Sequence, residues 1–336
     1  MRTLKRCLGL IASVAFTLFG LLLVTFLIGR VVPIDPVLAA IGDRAGADAY
    51  ARMRAELGLD LPLWQQFLRY LGAVLQGDLG DSVLTSRPVL EDVLRVFPAT
   101  LELATVAVAV GAALGVPAGV VAATHRGRWP DHVIRLLGLF GHSVPIFWLG
   151  LMGLLLFYAR LDWVPGPGRV DIFYEGMVEA RTGIVTIDAL LAGETDIFWN
   201  ALHHLLLPTA ILGLYSVAYI ARMTRSFMLD QLRQEYIVTA RVKGLSEARV
   251  VWRHALGNIA VPLTTVIALS YAGLLEGSVL TETVFAWPGL GLYITNSLLS
   301  ADMNAVLGGT LVVGTVFIGL NLLSDLLYRL LDPRAR

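Results

Sequence analysis

Long apolar segments recur along the chain, and polar stretches separate them. A membrane-spanning helix needs about 20 consecutive apolar residues, and six segments are long enough to supply one. Gly and Pro within these segments are compatible with spans, because neighbouring helices can satisfy the freed backbone groups. The pattern therefore predicts an all-α polytopic membrane protein with six transmembrane helices. The predicted spans cover residues 8–30, 99–123, 136–159, 206–227, 259–281 and 305–328.

Basic residues occur mainly in every second polar interval. Arg and Lys are frequent in the N-terminal tail, in intervals 124–135 and 222–258, and at the C-terminus, whereas interval 282–304 contains neither. Short loops rich in Lys and Arg stay on the cytoplasmic side of the membrane. The pattern thus predicts that both termini are cytoplasmic. Interval 31–98 also carries Arg, but long loops cross the membrane largely regardless of their charge.

These boundaries divide the chain into four regions. The spacing of apolar residues in LPLWQQFLRYLGAVL predicts an amphipathic helix in the first external loop, lying on the membrane surface or packed on the spans. The second external loop holds another partly apolar stretch, Ile184–Phe198. The regions are an N-terminal tail with the first transmembrane helix (1–30), an external loop with amphipathic helices (31–98), a core of five transmembrane helices (99–328) with an external insert (160–205) and a cytoplasmic loop (222–258), and a cytoplasmic tail (329–336).

The composition agrees with a membrane protein. Of the 336 residues, 56% are hydrophobic and 15% are charged, whereas about 25% are charged in a typical soluble domain. The formal net charge is zero, which argues against a nucleic-acid partner. The single cysteine, Cys7, can form neither an intrachain disulfide nor a cysteine-based metal site.

Loop 222–258 has a pattern unlike that of the other polar intervals. Tyr236–Val242 is predicted to be helical, Gly244 interrupts the helix, and Ser246 is a candidate N-cap for a second short helix. An apolar stripe on that second helix, flanked by Arg residues, would suit a groove on a partner protein. The alternative is a solvated basic loop that only fixes the membrane topology. The residues of the stripe are Val250, Val251, His254 and Ala255.

The run TARVKGLSEARVVWRHALGN, residues 239–258, resembles the EAA loop of ATP-binding cassette (ABC) importer permeases in the variant found in peptide permeases. The EAA–three residues–Gly element of that family falls on Val238–Ala240 and Gly244, and only the central Ala, the Gly and the downstream Leu256 match the general consensus. Further stretches resemble dipeptide permeases along almost the whole chain. They include GDLGDS (77–82), SVPIFWLG (143–150) and LTETVFAWPGLG (280–291).

This resemblance implies an ABC type I importer permease in a bacterial inner membrane, forming half of a translocation path. Its partners would be a second homologous permease, two cytoplasmic ATPase subunits, an external solute-binding protein and a peptide substrate, within the lipid bilayer. The loop would dock on an ATPase subunit, with the helix after Gly244 as the coupling element. The residues expected at the ATPase contact are Thr239, Ala240, Arg241, Lys243, Gly244, Leu245, Arg253 and His254.

The cargo implied by the resemblance is a dipeptide or another short peptide, because the insert at Thr182–Gly193 is typical of the dipeptide branch. Departures from the family pattern at Ile34 and at Met303-Asn304 leave the cargo open. The same machinery could import an opine, a metal chelate or a longer oligopeptide. A stand-alone secondary transporter is a further alternative, and it would transport without ATPase partners.

Neither an enzyme nor a cofactor site is expected in this chain. A phosphate-binding P-loop needs Gly-Lys followed by Ser or Thr, and neither Lys5 nor Lys243 occurs in that setting. Nucleotide hydrolysis would therefore take place on another chain. His203 and His204 form the best candidate for a metal site, but neighbouring residues on a helix face different sides. We therefore predict no metal site, and no Ser-His-Asp set supports catalysis.

Two residues are candidates for the translocation path. Glu276 lies inside the fifth predicted span, where an ionisable residue is costly and indicates a functional site. It would meet a peptide ammonium group or a cation of the partner permease, or it lies closer to the membrane interface. Trp287 is a candidate gate or binding-protein contact, the alternative being an anchor at the membrane boundary. Glu102, near the start of the second span, is predicted to be an interfacial or structural acid.

Overall fold

A computed structural model describes residues 2–31, 37–38, 46–56 and 58–331. Within these ranges the chain is helical, and its single bridge of β type joins Asp81 to Pro88. One π-helical turn, Leu154–Arg160, directly follows helix Ile146–Gly153, and a second, Val250–Ala255, connects helix Glu247–Arg249 to helix Leu256–Gly277. The helices are α1 Arg2–Val31, α2 Ala47–Glu56, α3 Leu63–Leu75, α4 Val89–Thr124, α5 Trp129–Ser143, α6 Ile146–Gly153, α7 Val185–Ala192, α8 Thr195–Gln231, α9 Glu235–Val242, α10 Glu247–Arg249, α11 Leu256–Gly277, α12 Val279–Val284, α13 Leu290–Leu299 and α14 Met303–Leu331.

The structure confirms an all-helical chain with up to six membrane spans. Five helices in the described part of the chain are long and apolar enough to cross a bilayer. The sixth span exists if the bent pair α5 and α6 crosses as one unit. The five are Ile11–Gly29, Val89–Thr124, Thr195–Gln231, Glu247–Gly277 and Met303–Ser324.

The third predicted span, residues 136–159, is broken in its first half. α5 ends at Ser143, Val144 is extended with φ −87° and ψ 129°, and α6 begins after Pro145. Proline disfavours a helical conformation in the residue before it and has no N–H to donate. The continuous apolar run therefore did not correspond to one unbroken helix, because Pro145 interrupts the helix while the hydropathy of the segment stays high.

Several helices are longer than their apolar cores, so the predicted loops are shorter. α8 spans residues 195–231, and a continuous helical rod covers Glu247–Gly277. The predicted polar loop 222–258 therefore reduces to residues 232–246. Hydropathy marks the part of a helix that lies in hydrocarbon, whereas polar residues at both ends continue the same helix into water.

The helices are grouped in two compact units. The first comprises residues up to Phe97 together with Gly289–Ile318. In this unit the predicted amphipathic helix is confirmed as α3, and it packs on α1. The ring of Phe67 contacts Phe19 and Phe26 edge-on at centroid distances of 5.7 and 5.3 Å. Packing on a span, rather than only on the membrane surface, is therefore the outcome for this helix.

The second unit comprises Pro98–Pro288 and the chain from Gly319 onward. Its central helix is α8, which packs against α5, α7 and α11. Glycines of α4 allow close approach to α8, because a Cβ at Gly119 would lie 2.6 Å from the Ala221 carbonyl oxygen. A Cβ at Gly111 would lie 2.2 Å from the Ser216 hydroxyl oxygen. These small residues of the second span therefore allow the two helices to pack closely.

Candidate coupling site

A buried apolar cluster lies beneath the short helix α9. Ile237 and Ala240 point from α9 into this cluster, where they are 0% and 7% exposed. The remaining members come from the ends of α4 and α8 and from the start of the 247–277 rod. Burial of these side chains fixes α9 to the spans. This coupling cluster consists of Val120, Ala123, Met228, Ile237, Ala240, Val250, Val251, Ala255 and Ile259.

Gly244 forms the turn that ends α9, as predicted. Its φ is +80°, a conformation that L side chains rarely adopt, and a Cβ there would meet no atom within 4 Å. The amide of Gly244 donates to the Arg241 carbonyl at 2.9 Å, and the amide of Leu245 donates to the Ala240 carbonyl at 3.2 Å. These two bonds form a Schellman motif, which commonly requires Gly at this position. Glycine is therefore needed for its backbone conformation rather than for space.

An ion pair closes the turn around Gly244. Arg241 Nε donates to Glu247 Oε1 at 2.7 Å, and Arg241 Nη2 donates to Glu247 Oε2 at 3.1 Å. This pairing raises the pKa of the Arg241 guanidinium. Both side chains are largely exposed, so the pair contributes little to overall stability. It does, however, hold the end of α9 against the start of the next helix.

The exposed apolar face of the loop lies on α9. Val238 and Val242 are 54% and 82% exposed, and residues four apart share one face of a helix. Lys243, which is also exposed, follows directly. A short helix with an apolar face and an adjacent cation fits a groove on a partner protein.

The apolar stripe predicted after Gly244 faces the interior instead. Val250, Val251 and Ala255 belong to the coupling cluster, and His254 is half-buried. Ser246 does precede a helix, but that helix continues through the π-helical turn into α11 as one rod. The prediction of a separate second helix with an outward ridge was therefore wrong. Apolar spacing shows that a helix has a buried face, but it does not show whether this chain or a partner covers that face.

The eight residues predicted to contact an ATPase fall into two groups. Ala240 is buried, and Leu245 and His254 are half-buried, so these side chains hold the loop in place. Arg241 is exposed but already paired with Glu247. The other exposed residues of the set are Thr239, Lys243, Gly244 and Arg253.

The two path candidates lie in different environments. Glu276 is exposed and is the penultimate residue of α11, at the end of the helix rather than deep within it. Trp287 is fully buried, and its Nε1–H donates to the Ala99 carbonyl at 2.8 Å. That Trp287 lines a path or contacts a binding protein stays a prediction, because its burial within this chain shows only how it packs. Its indole fixes the segment after α12 to the start of the second span.

The partners of Glu102 could not be predicted from the sequence. Glu102 is 4% exposed and accepts hydrogen bonds from Arg169 Nε at 2.8 Å and from Thr186 Oγ1 at 2.6 Å. This confirms a structural acid. Nearby, Glu282 is fully buried and accepts from Thr100 at 2.7 Å and from Ser278 at 2.9 Å. We call these two sets of hydrogen bonds together the buried clamp; its residues are Thr100, Glu102, Arg169, Thr186, Ser278 and Glu282.

A second buried ion pair, also not found from the sequence, lies near the coupling cluster. Arg225 Nε donates to Asp131 Oδ1 at 2.6 Å, and Arg225 Nη2 donates to Asp131 Oδ2 at 2.9 Å. The two residues are 94 positions apart. The basic interval 124–135 and the Arg-rich end of α8 were visible in the sequence, but nothing in either showed that they meet.

Two family models match the chain in adjoining regions. The model of the binding-protein-dependent transport system inner membrane component matches residues 115–336, which include the coupling loop. The model of the N-terminal part of such membrane components matches residues 3–104. The chain belongs to this family. It is therefore a multi-pass transport component of a bacterial inner membrane that works with a binding protein.

Curated relatives are similar from end to end. The probable D,D-dipeptide transport system permease of Escherichia coli K12 is 44% identical over 98% of this chain and 96% of its own length. The di/tripeptide transport system permease of Pseudomonas aeruginosa is 45% identical over 99% and 98%. The dipeptide transport system permease of Escherichia coli K12 is 43% identical over 100% and 99%.

A solved structure shows the same fold. A chain of the inward-facing MetNI methionine ABC transporter aligns with a TM-score of 0.50, covering 70% of this chain and 93% of that one. The identity is 15%. The fold of an ABC importer permease, implied by the resemblance of the sequence, is thereby confirmed.

Proposed function

We propose that this protein is a transmembrane permease subunit of a binding-protein-dependent ABC importer that moves dipeptides or short peptides into the cytoplasm. The observation that carries the proposal is the full-length similarity to three permeases named for D,D-dipeptide, di/tripeptide and dipeptide transport. The similarity covers the insert at 182–193 as well as the coupling loop, so it is not confined to the shared core.

The proposed assembly contains a second homologous permease, two cytoplasmic ATPase subunits and an external solute-binding protein. ATP hydrolysis on the partner subunits would drive alternating access of a path shared between the two permeases. Family membership supports the binding protein, and the exposed face of α9 supports docking on an ATPase.

In this proposal α9 is the coupling element. Val238 and Val242 would enter an apolar groove of the ATPase, and Lys243 would meet an acidic group at its rim. Movement of α9 would reach the spans through Ile237 and Ala240, which are packed in the coupling cluster. Arg241 would serve the loop by holding the turn against Glu247 rather than by contacting the partner.

The function is tested by uptake of a labelled dipeptide in a deletion strain that expresses wild type, Gly244→Pro or Gly244→Asn. Proline fixes φ near −65° and cannot adopt the left-handed conformation of Gly244. Asn adopts that conformation more readily than other side chains. We expect uptake with wild type and with the Asn variant, and loss of uptake with the Pro variant at equal membrane abundance.

Three results would contradict parts of this proposal. Equal uptake with Gly244→Pro at normal abundance would remove the coupling role of the loop. Uptake unaffected by the deletion, in a strain without another peptide system, would reject dipeptides and favour an opine, a metal chelate or a longer oligopeptide. Uptake without any ATPase subunit would favour a secondary transporter.

A further inference from the structure

The cytoplasmic loop predicted between the second and third spans is tied to α8 by a bidentate ion pair. Both oxygens of Asp131 accept from Arg225, at 2.6 and 2.9 Å. The Asp131 side chain is 1% exposed and that of Arg225 is 22% exposed. The two parallel bonds fix the orientation of both groups, as an Arg–carboxylate fork does. This link is therefore geometrically defined and, unlike the bidentate pair Arg241–Glu247, largely buried.

Asp131 also organises the start of α5. It lies in the first turn of that helix, where the helix dipole favours a negative charge. Its Oδ2 accepts from the Gly127 amide at 2.9 Å, and Gly127 has a φ of +74°. A single carboxylate thus joins the loop turn at Gly127, the start of α5 and the side of α8.

Arg225 lies beside the coupling cluster. Met228, one turn further along α8, is fully buried in that cluster with Ile237 and Ala240 of α9. On the other side, a Cβ at Gly119 would lie 3.0 Å from the Arg225 amide nitrogen. The segment of α8 that bears Arg225 therefore packs against α4. It continues into Met228, which packs with α9 in the coupling cluster.

We propose that the Asp131–Arg225 pair is a positioning element that makes the 125–128 loop and α5 follow the motion of α9. This inference rests on the proposed function, because it assumes that a partner ATPase moves α9. When α9 shifts, Met228 and the end of α8 shift with it, and the ion pair carries that displacement to α5. α5 forms the first part of the broken third span, so the pair links the coupling loop to a helix none of whose described side chains belongs to the coupling cluster.

The test uses the complete transporter, with its ATPase and binding-protein partners, in proteoliposomes. The variants are Asp131→Asn, Arg225→Gln and the exchange Asp131→Arg with Arg225→Asp. Asn keeps the acceptor for the Gly127 amide but loses the charge. We expect both single variants to hydrolyse ATP, with ATP consumed per imported dipeptide rising about fivefold. Arg225→Gln should assemble at lower abundance than Asp131→Asn, because it leaves the buried Asp131 without its cation. The exchange restores the ion pair but not the bond to the Gly127 amide, so it should return the ATP ratio part of the way to wild type.

A cargo-independent readout separates this inference from the proposed function. A cysteine at the exposed position Arg126, with Cys7 changed to Ser, reports the position of the loop through its rate of labelling. We expect nucleotide to change the labelling rate in the wild-type background and not in Asp131→Asn. If wild type imports no dipeptide but this pattern is found, the cargo is wrong and the inference stands.

Asp60→Asn is the matched control, because it breaks an exposed Arg–Asp pair, Arg54–Asp60, far along the chain from the coupling loop. It should leave both the ATP ratio and the labelling change as in wild type. An unchanged ATP ratio in Asp131→Asn at normal abundance would overturn the inference. So would loss of assembly in both single variants that the exchange does not restore, since the pair would then serve folding alone.

Discussion

Charged residues are placed differently in the two regions of the molecule that α4 connects. Thr100 and Glu102 belong to the buried clamp, whereas Val120 and Ala123, roughly 27 Å further along the helix axis, belong to the coupling cluster. In the clamp, Glu102 and Arg169 are buried and paired with each other. At the coupling loop, apolar residues are buried, whereas Lys243 and Arg253 stay exposed.

This difference separates charges that shape the chain from charges that remain available to a partner. Buried ionised groups must be paired because desolvation is costly. Exposed cations pay no such cost and contribute little until a partner covers them. We therefore expect substitutions in the clamp to lower stability and substitutions on the exposed face of α9 to lower transport.

The largest stability effect is expected for Arg169→Ala. This change leaves Glu102 buried without its cation and also removes a hydrogen bond to the Gly183 carbonyl. Breaking a buried pair from one side typically costs about 3–5 kcal/mol. The measurement is thermal unfolding of the purified complex together with membrane abundance.

Arg181→Ala provides the control within the same insert, because Arg181 is 64% exposed and its contact with Glu179 is 3.6 Å long. It should be nearly neutral. A similar loss of stability for both variants would show that the insert is sensitive to any change. The Arg169–Glu102 pair would then have no particular stabilising role.

Trp287→Phe should have the second-largest stability effect. The phenyl ring cannot donate to the Ala99 carbonyl, and the change shrinks a fully buried side chain. It also weakens the contact with Arg169, whose guanidinium carbon lies 5.8 Å from the indole centroid. We expect a loss of about 1–3 kcal/mol, measured as for Arg169→Ala.

Trp199→Phe is the matched control, since Trp199 is 66% exposed. Its effect should stay within about 0.5 kcal/mol. If Trp287→Phe left stability intact and abolished uptake, the assignment of Trp287 to packing would be wrong, and a role in the translocation path would be supported.

Local signals in the sequence predicted much of this arrangement. Helical spacing located α3, turn chemistry located Gly244, and both follow from residues a few positions apart. Pro145 itself was a local signal for a break in the helix. The length of the apolar run around it led instead to the prediction of one continuous span. Long apolar runs predicted the five continuous spans, because crossing a bilayer depends on hydropathy and length.

Pairings between distant residues could not be predicted in this way. Arg169 and Glu102 are 67 positions apart, and Trp287 and Ala99 are 188 apart. A single sequence contains no spacing rule for such contacts, since they depend on which helices become neighbours. The same limit explains the stripe after Gly244: its periodicity indicated a buried face, and only the structure shows that the chain's own spans cover it.

Val242→Asp should affect transport and not stability. Val242 is 82% exposed, so a carboxylate there stays solvated in the isolated subunit. In the assembled importer it would be pressed into an apolar groove, and we expect uptake to fall about tenfold or more, as for a central interface residue. Val83→Asp, at another exposed valine, is the control and should leave uptake unchanged. If uptake with Val242→Asp equalled that of wild type, the ATPase would not dock on this face of α9.

The smallest effect is expected for Glu276→Gln. Glu276 is exposed at the end of α11, and exposed substitutions usually change stability by no more than about 0.5 kcal/mol. If Glu276 meets a peptide ammonium group, the uncharged variant should raise the dipeptide concentration for half-maximal uptake while the complex stays intact. If uptake is also unchanged, Glu276 belongs to the membrane interface rather than to the path.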